Sequence, residues 1–273
     1  MNRYVRLSKF IKLAGLLQLI LLAPQISGRE VVRLTTGEWS PYISEELEHK
    51  GLIAQIASEA FALQDVEVKL FFYPWQRVYQ LSKTGEYDGT LAYARTVERE
   101  KFYHYSESVY TGKYVLFHLK AHPFKWDKYE DLKDIRIAAT RGFGGMGKDF
   151  IAAEEKKIIQ VERLASDIQS FHMLFLGRVQ AVASDMEVGY VLLKKNFPAK
   201  EVEYVTHNDR VIQNALYHLV LIKSLKKSEG LIKKFNLGLA QLKKSGRYDQ
   251  IIKEFYQKKV YKEAIPQKLL TYQ

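Results

Sequence analysis

The stretch GEYDGTLAYARTVEREKFYHYSESVY (85–110) decides the fold. It reads as a short apolar strand over 89–93, then Thr96-Val97-Glu98-Arg99, then an aromatic-serine segment leading into another strand. An arginine at the end of a buried strand presents a permanent, planar, five-donor cation to a carboxylate or another anion. Taken alone, Arg99 reads as a surface arginine paired with Glu98 or Glu100. The rest of the chain reverses that preference.

Upstream, 31–35 reads as a strand, followed by the loop Glu38-Trp39-Ser40-Pro41-Tyr42. Residues 51–63 carry apolar side chains at Leu52, Ile53, Ile56, Ala57, Ala60 and Phe61, a helical stripe. A second strand covers 66–72, and a short helix behind Pro74 covers 75–83. Strand, helix, strand, helix, strand predicts an α/β lobe with a largely parallel sheet.

Downstream, 113–119 starts a new unit and 126–132 is a polar connection. The strand 136–139 runs into the glycine-rich turn 141–147, which opens a helix from Lys148. Residues 156–161 and 179–183 read as strands, the latter ending in Ser184-Asp185, and 166–176 and 188–194 as helices. This is a second α/β lobe. A strand over 215–222 and helices over 230–244 and 248–256 have no lobe of their own and are expected to pack back on the first.

The ends and the composition narrow the class. Arg3, Arg6, Lys9 and Lys12 precede the apolar run 13–23, broken by Pro24, with a small-residue cut near Gly28. That is the pattern of a cleavable secretory signal peptide, a retained anchor being the other reading. The chain of 273 residues has no cysteine, so it has no disulfide, no thiolate metal site and no lipid attached through a cysteine. An exported protein of this kind fits a periplasmic location. The formal charge of +11 includes the four positive residues of the leader, leaving +7 spread over helix faces. No nucleic-acid motif appears.

Three segments carry a resemblance. Gly85-Glu86-Tyr87-Asp88-Gly89 leads to Thr96-Val97-Glu98-Arg99 and then to Tyr105-Ser106 and Tyr110. Gly177-Arg178-Val179-Gln180-Ala181 runs to Asp185. Phe235-Asn236 and Leu239 precede Gly246, Tyr248 and Asp249. In this order, behind a leader, the chain resembles the bacterial extracellular solute-binding proteins of family 3, the periplasmic polar amino-acid-binding type. The resemblance implies a two-lobed α/β periplasmic-binding-protein fold, a type II clamshell with two crossing hinge strands. It implies a signal peptide over 1–28, a discontinuous first lobe over 29–111 and 213–273, and a second lobe over 112–212.

The resemblance also places the ligand contacts. The carboxylate-binding arginine falls on Arg99 and the amine-binding aspartate on Asp185, whose other reading is a helix N-cap. Trp39 and Trp75 fall where apolar walls are expected, either of them also readable as core. Arg77 adds a second cation or lies on a helix surface. Thr96, Tyr42 and Tyr110 are secondary candidates. The turn Gly142-Phe143-Gly144 offers amides at a helix N-terminus to an anionic group, without P-loop spacing. Ala92 and Ala94 stand where polar contacts to an α-amino acid are expected, which points to an atypical carboxylated ligand.

The reading is therefore a monomeric carrier without cofactor or metal. It captures a small carboxylated or zwitterionic, amino-acid-like solute for the membrane permease of an ATP-driven importer, or for a sensor. The alternative is a dehydratase-like enzyme on the same fold, with His104 as its acid-base group. His118 and His122 lie on a strand and loop, where the rings need not converge on a metal.

Overall fold

The structure, a computed structural model, describes residues 29–141 and 145–257. The leader and the turn residues Gly142, Phe143 and Gly144 lie outside the described residues.

Among the described residues nine strands form one connected sheet. They are β1 (Glu30–Thr36), β2 (Val66–Phe72), β3 (Gly89–Tyr93), β4 (Tyr103–Leu119), β5 (Arg136–Thr140), β6 (Gln160–Leu164), β7 (Ala181–Asp185), β8 (Val205–His207) and β9 (Gln213–Ile222). The order is β2-β1-β3-β9-β4-β7-β5-β6, with β8 pairing on β4. β1 and β3 are parallel, as are β5 with β6 and β5 with β7. At the centre, β4 and β9 run antiparallel from Tyr103↔Ile222 to Tyr114↔Gln213. At Tyr114 strand β4 changes partner and continues against β7 and β8. Two parallel α/β sheets are thus joined through two long central strands, the α/β arrangement expected from the sequence.

The helices are α1 (Leu52–Ala62), α2 (Trp75–Leu81), α3 (Val97–Glu100), α4 (Gly147–Glu155), α5 (Asp167–Phe175), α6 (Met186–Asn196), α7 (Ala199–Val202), α8 (Ser228–Lys244) and α9 (Arg247–Gln257). The stripe on α1 buries Ile53, Ile56, Ala57, Ala60 and Phe61 completely. Phe61 meets Phe235 of α8 with ring centroids 5.1 Å apart. The two helices approach closely because a Cβ on Gly238 would lie 1.9 Å from the Ala60 carbonyl oxygen. Arg247 then ties α9 to α1 by donating Nε and Nη2 to the two carboxylate oxygens of Glu59, each at 2.8 Å. The terminal helices therefore cover the first sheet.

Two readings are corrected, and two short elements are added. The aromatic-serine segment is not a lead-in to a strand at 113; it is the first half of the 17-residue β4. The strand expected at 156–161 begins only at Gln160, because Lys156 to Ile159 are held in a turn by bonds to Ala152, Ala153 and Glu154. The short elements α7 and β8 follow Pro198 and have too few residues for a visible period.

β3 carries an irregularity that bears on the site. Its register against β9 slips between Thr90 and Tyr93, and Ala92 sits at φ +60°. The left-handed region costs an L-residue about 1–2 kcal/mol, and a β-branched one more. The slip re-aims the strand end toward the segment that carries Arg99. Ala92→Gly is expected to melt at or above the wild type, and Ala92→Val several degrees below it in a thermal scan. The reverse order would show that the strained backbone at Ala92 is not limiting.

Candidate functional site

The Thr96-x-x-Arg99 segment is a capped helical turn. Thr96 is the N-cap of α3, and its Oγ1 accepts from the Arg99 backbone N–H at 3.2 Å. The expected surface pairs of Arg99 are made by others. Arg95 donates to Glu100 at 3.0 Å, and Glu98 accepts from the Tyr79 hydroxyl at 2.6 Å. The Arg99 guanidinium instead lies over the Tyr93 ring, 4.4 Å from its centroid, and donates to the Ala94 carbonyl at 3.3 Å.

Arg99 opens into a cavity of about 450 Å³, the size that takes one small organic molecule. Its first wall consists of Trp39, Trp75, Gln76, Tyr79, Ala92, Tyr93, Ala94, Glu98 and Arg99; its second of Tyr114, Arg141 and Gly145, with Tyr217 of β9 between them. The rings are held by close approaches to glycine. Trp75 lies against Gly37, where a Cβ would be 2.6 Å from the indole, and its Nε1–H donates to the Glu38 carbonyl at 3.1 Å. Tyr114 packs in the same way on Gly145, where a Cβ would sit 2.2 Å from the ring. Trp39 is nearly buried and meets Tyr217 edge-on, with centroids 4.8 Å apart at 85°.

Beneath this floor lies a buried acidic cluster. Asp185 ends β7 and caps α6, accepting from the backbone N–H groups of Glu187 at 3.1 Å and Val188 at 3.3 Å. The Tyr42 hydroxyl donates to Oδ1 at 2.9 Å and the Tyr217 hydroxyl to Oδ2 at 2.8 Å. Gly112 of β4 makes room for the carboxylate: a Cβ there would lie 2.3 Å from Oδ2. Next to it, Glu187 accepts from Tyr110 at 2.9 Å and from Tyr256 of α9. Burial, and then the neighbouring Glu187 charge, push the Asp185 carboxyl up to about 7, against the lowering effect of Tyr217 and Tyr42. Burial first, and then Asp185, hold Tyr42 and Tyr217 well above the usual phenol range, so both remain donors.

The structure brings Arg99, Trp39 and Trp75 together around one cavity. Asp185, Tyr42 and Tyr110 lie below it and are engaged with one another's neighbourhood rather than with the cavity surface. Thr96 acts as the cap just described. The Arg77 guanidinium rests over the Tyr73 ring at 5.0 Å, on an exposed helix face outside the lining. His104 lies on β4, also outside the lining. Among the described residues no group of three or more His, Cys, Asp or Glu side chains is placed to hold a metal. Sequence reading missed Tyr79, Tyr93, Tyr114, Arg141 and Tyr217. Tyr217 shares the buried face of β9 with Ala215, whereas Leu216 between them is 49% exposed, so hydropathy along the strand does not mark it.

The sequence profile of the bacterial extracellular solute-binding proteins, family 3, matches residues 32–258. No curated protein sequence matches the chain. Among solved structures, a mutant of ArgBP from T. maritima is similar at 23% identity and a TM-score of 0.65, covering 85% of this chain and 97% of that one. A histidine kinase sensor domain with similarity to periplasmic binding proteins superimposes with a TM-score of 0.69 at 17% identity, over 84% of this chain and 97% of the other. The ancestral amino acid-binding protein AncCDT-1, a precursor of cyclohexadienyl dehydratase, gives 0.62 at 20%, over 84% and 96%. At these identities the likeness is one of fold.

Because the Asp185 carboxyl is raised in the folded chain, the native state holds a proton that the unfolded chain releases between about pH 4 and 7. Its contribution to stability is complete below that window and is lost as pH rises through about 7. The stability of Asp185→Asn relative to wild type is therefore expected to rise from pH 5 to pH 8 in urea unfolding. A difference that is flat or falls with pH would refute the raised carboxyl.

Proposed function

Because the chain belongs to the bacterial extracellular solute-binding proteins, family 3, we propose that it captures a small carboxylated solute in the aromatic cavity and delivers it to a membrane partner. The observation that carries this reading is Arg99, set at the cavity wall by the capped turn of α3 and backed by the Tyr93 ring. A guanidinium so placed grips a carboxylate through two parallel hydrogen bonds. The surrounding rings supply apolar contact for the rest of the molecule.

In this reading residues 1–28 are a signal peptide that is cleaved on export, and the mature chain works in the periplasm without a lipid anchor. Residues 29–111 with 213–273 form one lobe and 112–212 the other, and the ligand favours the closed arrangement because it touches both walls. The partner is the permease of an ATP-driven importer, a sensor being the other receiver. In this reading the chain binds its solute without turning it over; His104, the acid-base candidate of the dehydratase-like alternative, lies outside the cavity lining.

A thermal-shift screen of amino acids, short peptides and organic acids tests the reading. A ligand at about 100 times its Kd stabilises by about 2.7 kcal/mol, a readable shift. Arg99→Ala is expected to keep the unliganded melting midpoint within about 2 °C, since its side chain is only half-buried. It should also abolish the shift produced by a carboxylated hit. Unchanged affinity in Arg99→Ala by calorimetry would sink the assignment of the anion grip.

A further inference from the structure

The charge on the cavity surface is uneven. Two arginines line it, Arg99 after β3 and Arg141 after β5. The one carboxylate among the described lining residues is Glu98, an exposed side chain that already accepts from Tyr79. An ammonium group needs acceptors, and its burial without them costs several kcal/mol.

The Asp185 carboxyl and the Ala94 carbonyl are already engaged within the protein. Asp185, the acid at the end of β7, lies beneath the ring of Tyr217, and four donors point at its oxygens. It is 1% exposed. The Ala94 carbonyl, at the end of the strand that leads to Arg99, receives both the Arg99 Nη1–H at 3.3 Å and the Tyr105 hydroxyl at 3.4 Å. Ala92 contributes a methyl group to the wall and no side-chain acceptor. Arg141 is fixed by its Nε–H, which donates to the Arg163 carbonyl at 3.0 Å. That bond ties the guanidinium beside the cavity that Arg141 lines.

We propose that the cavity selects a ring-bearing carboxylate without an ammonium group, an aromatic acid rather than a zwitterionic amino acid. Arg99 binds the carboxylate and Arg141 supplies the excess positive charge of the lining. This rests on the solute-binding reading above and specifies the ligand class of the same site.

Matched pairs differing only in the amino group decide it. Calorimetry at pH 7.5 compares 3-phenylpropionate with L-phenylalanine and indole-3-propionate with L-tryptophan, on wild type and on Arg141→Gln. The expected result is at least tenfold tighter binding of each desamino acid, weakened at least fivefold in Arg141→Gln with an unchanged unliganded melting midpoint. Tighter binding of the amino acids overturns the inference and leaves the solute-binding reading in place. Equal desamino affinity in wild type and Arg141→Gln overturns the role of Arg141. Binding of no member of either pair overturns the inference; only a further failure of every carboxylated solute in the thermal-shift screen counts against the solute-binding reading itself.

Discussion

The structure depends on the burial of one carboxylate. Asp185 stands where β7 meets the long strand β4, opposite Tyr114 in register. A carboxyl placed there is tolerable only if its oxygens are hydrogen-bonded, since a buried polar group left unsatisfied costs about 1–3 kcal/mol. The requirement explains the residues around it. Gly112 leaves the space, Tyr42 donates from the turn after β1 and Tyr217 from β9, and the first turn of α6 donates its amides. Trp39 packs edge-on to both tyrosines, at 5.0 and 4.8 Å, so the cavity floor is a consequence of how the acid below it is satisfied.

The cation above the floor is positioned by a different economy of partners. Four charged residues follow one another closely in Arg95, Glu98, Arg99 and Glu100, and any of several pairings would neutralise them. The capped turn settles the choice by direction. It turns Arg95 and Glu100 toward each other, gives Glu98 to Tyr79, and lays Arg99 over Tyr93. A surface ion pair contributes little, so releasing Arg99 from one costs little stability and leaves a cation with defined geometry at the cavity wall.

Much of this was legible in the sequence, and what was not has physical causes. The strands 66–72 and 89–93 and the stripe of α1 follow directly from period and burial. Arg99, Trp39 and Trp75 could be named because the resemblance to the family 3 proteins carries ligand contacts onto those positions. The fate of Asp185 could not be read, since it depends on hydroxyls 143 and 32 residues away in the chain. Tyr93, Tyr114 and Tyr217 were hidden because a tyrosine on a buried strand face looks like core until the facing sheet is known. β4 was cut in two because its polar first half, Tyr105-Ser106-Glu107-Ser108, does not look like a central strand; its bulges near Ser108 accommodate those side chains.

The placement of the indoles has an optical consequence. The chain holds three tryptophans, and two of them, Trp39 and Trp75, face the cavity. The third, Trp126, is buried against Tyr129 with the Arg210 guanidinium 4.8 Å from its ring, among residues that do not line the cavity. The intrinsic emission of the protein is thus divided between two chromophores that share space with any bound molecule and one that does not. Occupancy is written into the emission spectrum, with an internal standard, and needs no attached dye to be read.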